Sequence, residues 1–178
     1  MPRINAVQLN QVDGSVKDAF EGIRKAYGAV PNVFQSIAQS PDAFFGYLAA
    51  HDRLSKGRLS KAEREIIALV VAQHNECEYC LSAHTLSAKA VGIPYSESIS
   101  IRQGTASDEG QQALVTFVRA VVQNSGRLAN SEITEFKSHG FTDSHIVEVI
   151  LGIALSYFTN FFNNLNETTL DFPKADAI

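Results

Sequence analysis

The chain has little that would carry nucleic acid, a membrane anchor or a sheet. Its 15 lysines and arginines against 19 aspartates and glutamates leave a net charge of −4 without a basic cluster, so the electrostatic footprint of a nucleic-acid binder is missing. The N-terminal Met1-Pro2-Arg3-Ile4-Asn5-Ala6 lacks the apolar stretch of a signal peptide, and uninterrupted apolar runs such as Ile66 to Ala72 are far shorter than a bilayer span. The expectation is a soluble, cytoplasmic protein without a membrane partner. No Val/Ile/Thr-rich stretch is bounded by hairpin turn residues, and no flavin, haem or nicotinamide motif is visible, so no cofactor is expected. Cysteine is scarce too: there are two in 178 residues, and in a reducing compartment a lone Cys-x-x-Cys is more often catalytic, redox-active or metal-binding than a structural staple.

What is present is helical. Nearly every longer segment places its apolar residues at helical spacing, and 45% hydrophobic content is enough for one core. The fold class expected is all-α, a compact single-domain helical bundle over 1–178. Ser15 reads as the N-cap of a helix running to Tyr27, and Gly28 as its stop. A short helix follows Pro31. Pro41 opens one ending near Lys56-Gly57, and Ser60-Lys61-Ala62-Glu63 is a capping box. The cysteine helix runs to Val91. Ser107 caps a helix that stops before Gly126, Asn130 or Ser131 starts a short one, and Thr142 starts the last, closed by Asp171-Phe172-Pro173.

The two cysteines stand in His74-Asn75-Glu76-Cys77-Glu78-Tyr79-Cys80-Leu81-Ser82-Ala83-His84. On a helix Cys77, Cys80 and His84 share one stripe. If that helix begins near Glu76, its first turn offers free N–H groups and a positive dipole end that favour thiolate over thiol. His84, with an ordinary pKa of roughly 6.5, suits proton transfer near neutral pH. Glu65 lies twelve residues before Cys77, and in one unbroken helix the two would stand about 18 Å apart. For that carboxylate to reach the site the chain must break, and Gln73-His74-Asn75-Glu76 is the natural place. The alternative for Glu65 is a carboxylate paired with Lys61 or Arg64.

The same register has a faint echo. Glu148 sits in Val147-Glu148-Val149-Ile150 as Glu65 sits in Arg64-Glu65-Ile66-Ile67, and Asn160, Asn163 and Glu167 answer Cys77, Cys80 and His84. Residues 142–170 are thus a candidate degenerate repeat of the redox core at 41–92, which would make two pseudo-repeated helical halves. Chance similarity of two amphipathic helices is the alternative.

The pattern Glu-x11-Cys-x2-Cys-x3-His, with Ala62-Glu63-Arg64-Glu65-Ile66-Ile67-Ala68-Leu69 around its start, resembles the core of the alkylhydroperoxidase D-like proteins of the carboxymuconolactone decarboxylase superfamily, in their peroxidase-related branch. The resemblance extends from about Val30 to Asp171-Phe172-Pro173. It implies an all-helical, alkylhydroperoxidase D-like fold, a homo-oligomer (trimer or hexamer), and antioxidant reduction of organic hydroperoxides or hydrogen peroxide. It also implies roles: Cys80 attacks the peroxide, Cys77 resolves the sulfenic acid as a disulfide, and Glu65 with His84 relays protons. One departure stands out, because a histidine expected between the cysteines is Tyr79, and a phenol with a pKa near 10 is a poor proton shuttle. The superfamily's decarboxylases lack the cysteine pair, which argues against that activity. The electrons would come from an external dithiol, thioredoxin-like or lipoyl-bearing.

Two further readings remain beside the peroxidase: a protein disulfide oxidoreductase, and a non-catalytic helical scaffold with a redox-sensitive cysteine pair. Zinc on Cys77, Cys80, His84 and His74 is disfavoured, since structural zinc sites usually join two distant ligand pairs. His51, His139 and His145 belong to no motif. Tyr157, Phe158, Phe161 and Phe162 form an aromatic face suited to core or interface, with a substrate pocket the third option. The charges from Asp52 to Arg64 read as a solvated surface.

Overall fold

A computed structural model describes residues 1–12 and 14–178, and among these residues nine helices and no strand occur. They are α1 (Gly14–Tyr27), α2 (Asn32–Ile37), α3 (Pro41–Ser55), α4 (Lys61–His74), α5 (Glu78–Ala90), α6 (Tyr95–Gln103), α7 (Glu109–Gln123), α8 (Asn130–Ser138) and α9 (Asp143–Asn166). The all-α expectation holds. Several boundaries move for identifiable reasons. Ser15 lies inside α1, which already begins at Gly14. Asp108, not Ser107, caps α7, its carboxylate accepting the N–H of Gln111 at 2.9 Å. Helix α9 stops at Asn166, where Glu167 turns left-handed at φ 50°, before Asp171-Phe172-Pro173 is reached. Helix α6 went unseen, because Tyr95-Ser96-Glu97-Ser98-Ile99-Ser100 is rich in serine, which competes with the helix for its backbone groups.

Helix α4 is the axle. The capping box at Ser60 is formed in both directions, by Glu63 N–H to Ser60 Oγ and Ser60 N–H to the Glu63 carboxylate. Past that turn every residue from Ile66 to Ala72 is buried, as expected of a helix enclosed on all sides. One face meets the cluster built from α7, α8 and α9, in which Phe117, Phe136 and Phe141 stack at centroid separations of 4.0 and 4.1 Å. A second cluster takes in Phe20 and Ile23 of α1, Val33 and Ile37 of α2, Phe44 of α3, and the cysteines themselves.

Helix α9 has 24 residues and a mean hydropathy of 1.5 over its most apolar window. By length and composition it is apolar enough to cross a membrane, which a search for uninterrupted runs overlooks because Gly152, Ser156, Thr159 and Asn160 punctuate it. Here it lies along α3, α4, α5 and α7, with Val149, Gly152 and Ile153 buried. The C-terminal segment then crosses α5: Ala175 N–H donates to Ser82 Oγ at 3.1 Å, and Arg102 to the Asp176 carbonyl at 2.7 Å.

Candidate active site

The site begins with a break. Helix α4 ends at His74, Asn75 is its C-cap, and Glu76 swings to φ 51°. The Glu76 N–H then bonds the Gln73 carbonyl at 3.2 Å and the Cys77 N–H the Ala72 carbonyl at 3.0 Å. This is the Schellman closure, with glutamate in the left-handed position that glycine usually takes. The break falls within Gln73–Glu76 as expected, but α5 starts two residues later than the sequence suggests, at Glu78, with Cys77 as its N-cap.

Cys77 and Cys80 are joined as a disulfide, their Cα atoms 5.3 Å apart, and Cys80 N–H donates to Cys77 Sγ at 3.3 Å. The two sulfurs are not equivalent. Cys77 is fully enclosed, whereas Cys80 lines a cavity of about 350 Å³. The Glu65 carboxylate and His84 line the same cavity, with His84 Nδ1 2.8 Å from Glu65 Oε2. Since a carboxylate can only accept, Nδ1 carries the proton and Nε2 is the free nitrogen. Turning the chain at Glu76 thus brings residues 19 apart in sequence into contact. The pairing of Glu65 is with His84, not with Lys61 or Arg64 as the alternative had it.

The rest of the wall comes from elements that no motif announces. Ile23 and Tyr27 of α1, Val33 and Phe34 of α2, Tyr47 and His51 of α3, and Leu155, Thr159 and Asn163 of α9 all face the cavity. Burial pushes the Tyr47 phenol up, with Tyr27 and Glu65 adding to it, so it stays a neutral donor. Desolvation, then the nearby His84, pulls the His51 imidazole below its ordinary value. His51 belongs to no motif; its place beside the Glu65–His84 pair is visible only in three dimensions. Lys61 and Arg64, read as solvated, also reach the cavity. The aromatic face of α9 does not line it: Phe161 is 58% exposed, and Phe158 stacks on the outer side of Tyr47 at 5.6 Å. His139 pairs with Glu135, and His145 accepts the N–H of Thr142 to cap α9.

Tyr79 stands where the related pattern has histidine, and it is a peg. Its hydroxyl accepts the Val33 N–H at 3.3 Å, and its ring meets Phe172 edge-on at 5.5 Å. Burial, then a hydrogen bond with Asp171, drives its phenol far above the ordinary value.

Residues 38–123 match the model of the carboxymuconolactone decarboxylase family. Among solved structures, the chain superposes on an alkylhydroperoxidase AhpD core, an uncharacterized peroxidase-related protein from Ralstonia eutropha JMP134. The TM-score is 0.88 at 24% identity, over 96% of this chain and 92% of that one. An uncharacterized peroxidase-related protein from Silicibacter sp. TM1040 gives 0.81 at 24% identity, over 95% and 94%. The debrominase Bmp8 in complex with 2,3,4-tribromopyrrole gives 0.81 at 15% identity, over 96% and 92%. No curated protein matches. The matched segment holds Glu65, Cys77, Cys80 and His84, and the fold agrees over nearly the whole length. Over residues 38–123 the chain is similar to the carboxymuconolactone decarboxylase family, and over nearly its whole length it has the alkylhydroperoxidase D-like fold.

Proposed function

We propose that the protein is a thiol peroxidase for organic hydroperoxides. The observation that carries this is the asymmetry of the pair: Cys80 opens on a cavity walled largely by apolar and aromatic side chains, and the Glu65–His84 pair lines that cavity. Its volume of about 350 Å³ suits an organic substrate rather than hydrogen peroxide alone. The Cys80 thiolate attacks the terminal oxygen of ROOH. The O–O bond breaks, an S–O bond forms, and the departing alkoxide leaves as ROH with the proton that His84 Nε2 had taken from the Cys80 thiol. Cys77 then attacks the sulfenic sulfur, forming the disulfide and releasing water.

An external dithiol restores the pair by exchange and leaves as a disulfide. With Cys80 only 3% exposed, a slender lipoyl arm reaches it more easily than the flat surface of a thioredoxin-like protein. The same enclosure disfavours a protein disulfide oxidoreductase. A homo-oligomer belongs to the proposal: Val147, Ile150, Phe158, Phe161 and Leu165 leave an apolar stripe on α9, a surface that a second copy would cover. A reducing, cytoplasmic setting suits a dithiol cycle.

The test is single-turnover oxidation of the reduced protein by cumene hydroperoxide, with Cys80 trapped as sulfenic acid in Cys77→Ser. Stoichiometric oxidation that disappears in Cys80→Ser is expected. A rate no faster than that of a free thiol would rule the reading out. A second reading follows from the aromatic walls, Phe34 and Tyr47, and the bromopyrrole held by a protein of the same fold. It is reductive dehalogenation, in which aryl bromide and two thiols give arene, bromide, a proton and the disulfide. Bromide release from tribromopyrrole by the reduced protein distinguishes it.

A further inference from the structure

A cysteine that attacks peroxide must be held as thiolate, and the start of α5 does this less for Cys80 than for Cys77. The N-cap position and the dipole favour charge at Cys77, which is fully enclosed and does not line the cavity. The backbone N–H of Cys80 is itself committed to Cys77 Sγ. The remaining donor at Cys80 Sγ comes from the opposite wall: Asn163 Nδ2 of α9, at 3.4 Å. Asn163 is 4% exposed and lines the cavity, and its Oδ1 has no hydrogen-bond partner among the described residues. A buried amide oxygen left without a donor is unfavourable unless a ligand supplies one. Asn164 and Asn166 differ, for they tie backbone together: Asn166 Oδ1 accepts the Ile4 N–H and Asn164 Nδ2 donates to the Asn75 carbonyl. Asn160, whose Nδ2 is also without a partner among the described residues, accepts from the Asn75 side chain and does not line the cavity.

We propose that Asn163 is a catalytic residue of the peroxide step, its Nδ2 holding Cys80 as thiolate and its Oδ1 accepting the O–H of the incoming hydroperoxide. This rests on the peroxidase reading and extends it to a residue outside the matched family segment. The amide addresses nucleophile and substrate together. Oδ1 turns the terminal O–H oxygen toward Sγ, and when the O–O bond breaks that oxygen passes to sulfur with its hydrogen still attached. Oδ1 then holds the sulfenic O–H until Cys77 attacks. Only the alkoxide then needs a proton, the one that His84 Nε2 took from the Cys80 thiol.

The experiment is the pH dependence of iodoacetamide alkylation of Cys80 in the reduced full-length protein, resolved by peptide mass spectrometry. Wild type, Asn163→Asp and Asn163→Ala are compared, with circular dichroism confirming the fold. Asp keeps the shape but replaces the donor with a negative charge. The alkylation midpoint should rise by about one pH unit or more in Asn163→Asp and by less in Asn163→Ala, and cumene hydroperoxide oxidation at neutral pH should slow about 10²-fold in the former. A midpoint unchanged in both folded variants overturns the proposal, whatever the peroxide rate. A raised midpoint, with wild type oxidised no faster than a free thiol, supports the assignment to the thiolate and overturns the peroxidase reading instead.

Discussion

The stretch from Glu65 to His84 and the stretch from Glu148 to Glu167 carry the same register, and they fold differently. In the first, a left-handed glutamate at position 76 ends α4 and starts α5 in a new direction, so Glu65 meets His84 at 2.8 Å. In the second, α9 runs unbroken from Asp143 to Asn166, which keeps Glu148 and Asn160 about 18 Å apart. Glu148 turns outward to the loop before α4, where its carboxylate accepts the N–H groups of Arg58 and Leu59 at 2.8 and 3.1 Å. The lesson is that the register alone makes no site. The same glutamate meets a histidine beside the cavity where the helix breaks and becomes a loop clasp where it does not.

That contrast can be tested from both sides. The largest effect is expected on the broken side: Glu65→Gln keeps the shape of the contact with His84 but removes the carboxylate charge. Oxidation of Cys80 by cumene hydroperoxide should slow about 10²-fold, while the free energy of urea unfolding changes by less than about 1 kcal/mol, because the pair is partly exposed. On the unbroken side the pattern should invert. Glu148→Ala orphans two backbone donors and should cost about 1 to 3 kcal/mol in urea unfolding, with the peroxide rate of the folded protein unchanged. Equal behaviour of the two variants in both assays would erase the distinction. The smallest effect concerns the break itself. Glu76→Gly relieves left-handed strain worth about 1 to 2 kcal/mol and returns part of it as unfolded-chain entropy. A net stabilisation of up to about 1 kcal/mol is expected by calorimetry, with the Glu65–His84 chemistry intact.

The sequence discloses the parts of this site whose information is local. The capping box at Ser60, the break before Cys77 and the i, i+4 stripe of Cys80 and His84 each depend on a few neighbouring residues. The cavity is another matter, since its wall is drawn from α1, α2, α3, α4, α5 and α9, and no spacing encodes which of their faces converge. His51 belongs to no motif for that reason. Asn163 is a middle case. The internal register set it opposite Cys80, but a contact across 83 positions becomes chemistry only once α9 lies against α5. Helix α9 misleads in the opposite way, because its polar interruptions hide a 24-residue apolar helix from any search for unbroken runs.

Tyr79 bears on how such a motif changes over generations. Its hydroxyl and ring clasp the start of α2 and the C-terminal segment at one point. Exchanging it for the histidine of the related pattern would remove the hydroxyl that accepts the Val33 N–H and the ring that meets Phe172. The phenol at this position is thus tied to Val33, Asp171 and Phe172, so that a change of residue between the cysteines is also a change in how the segments on either side are held.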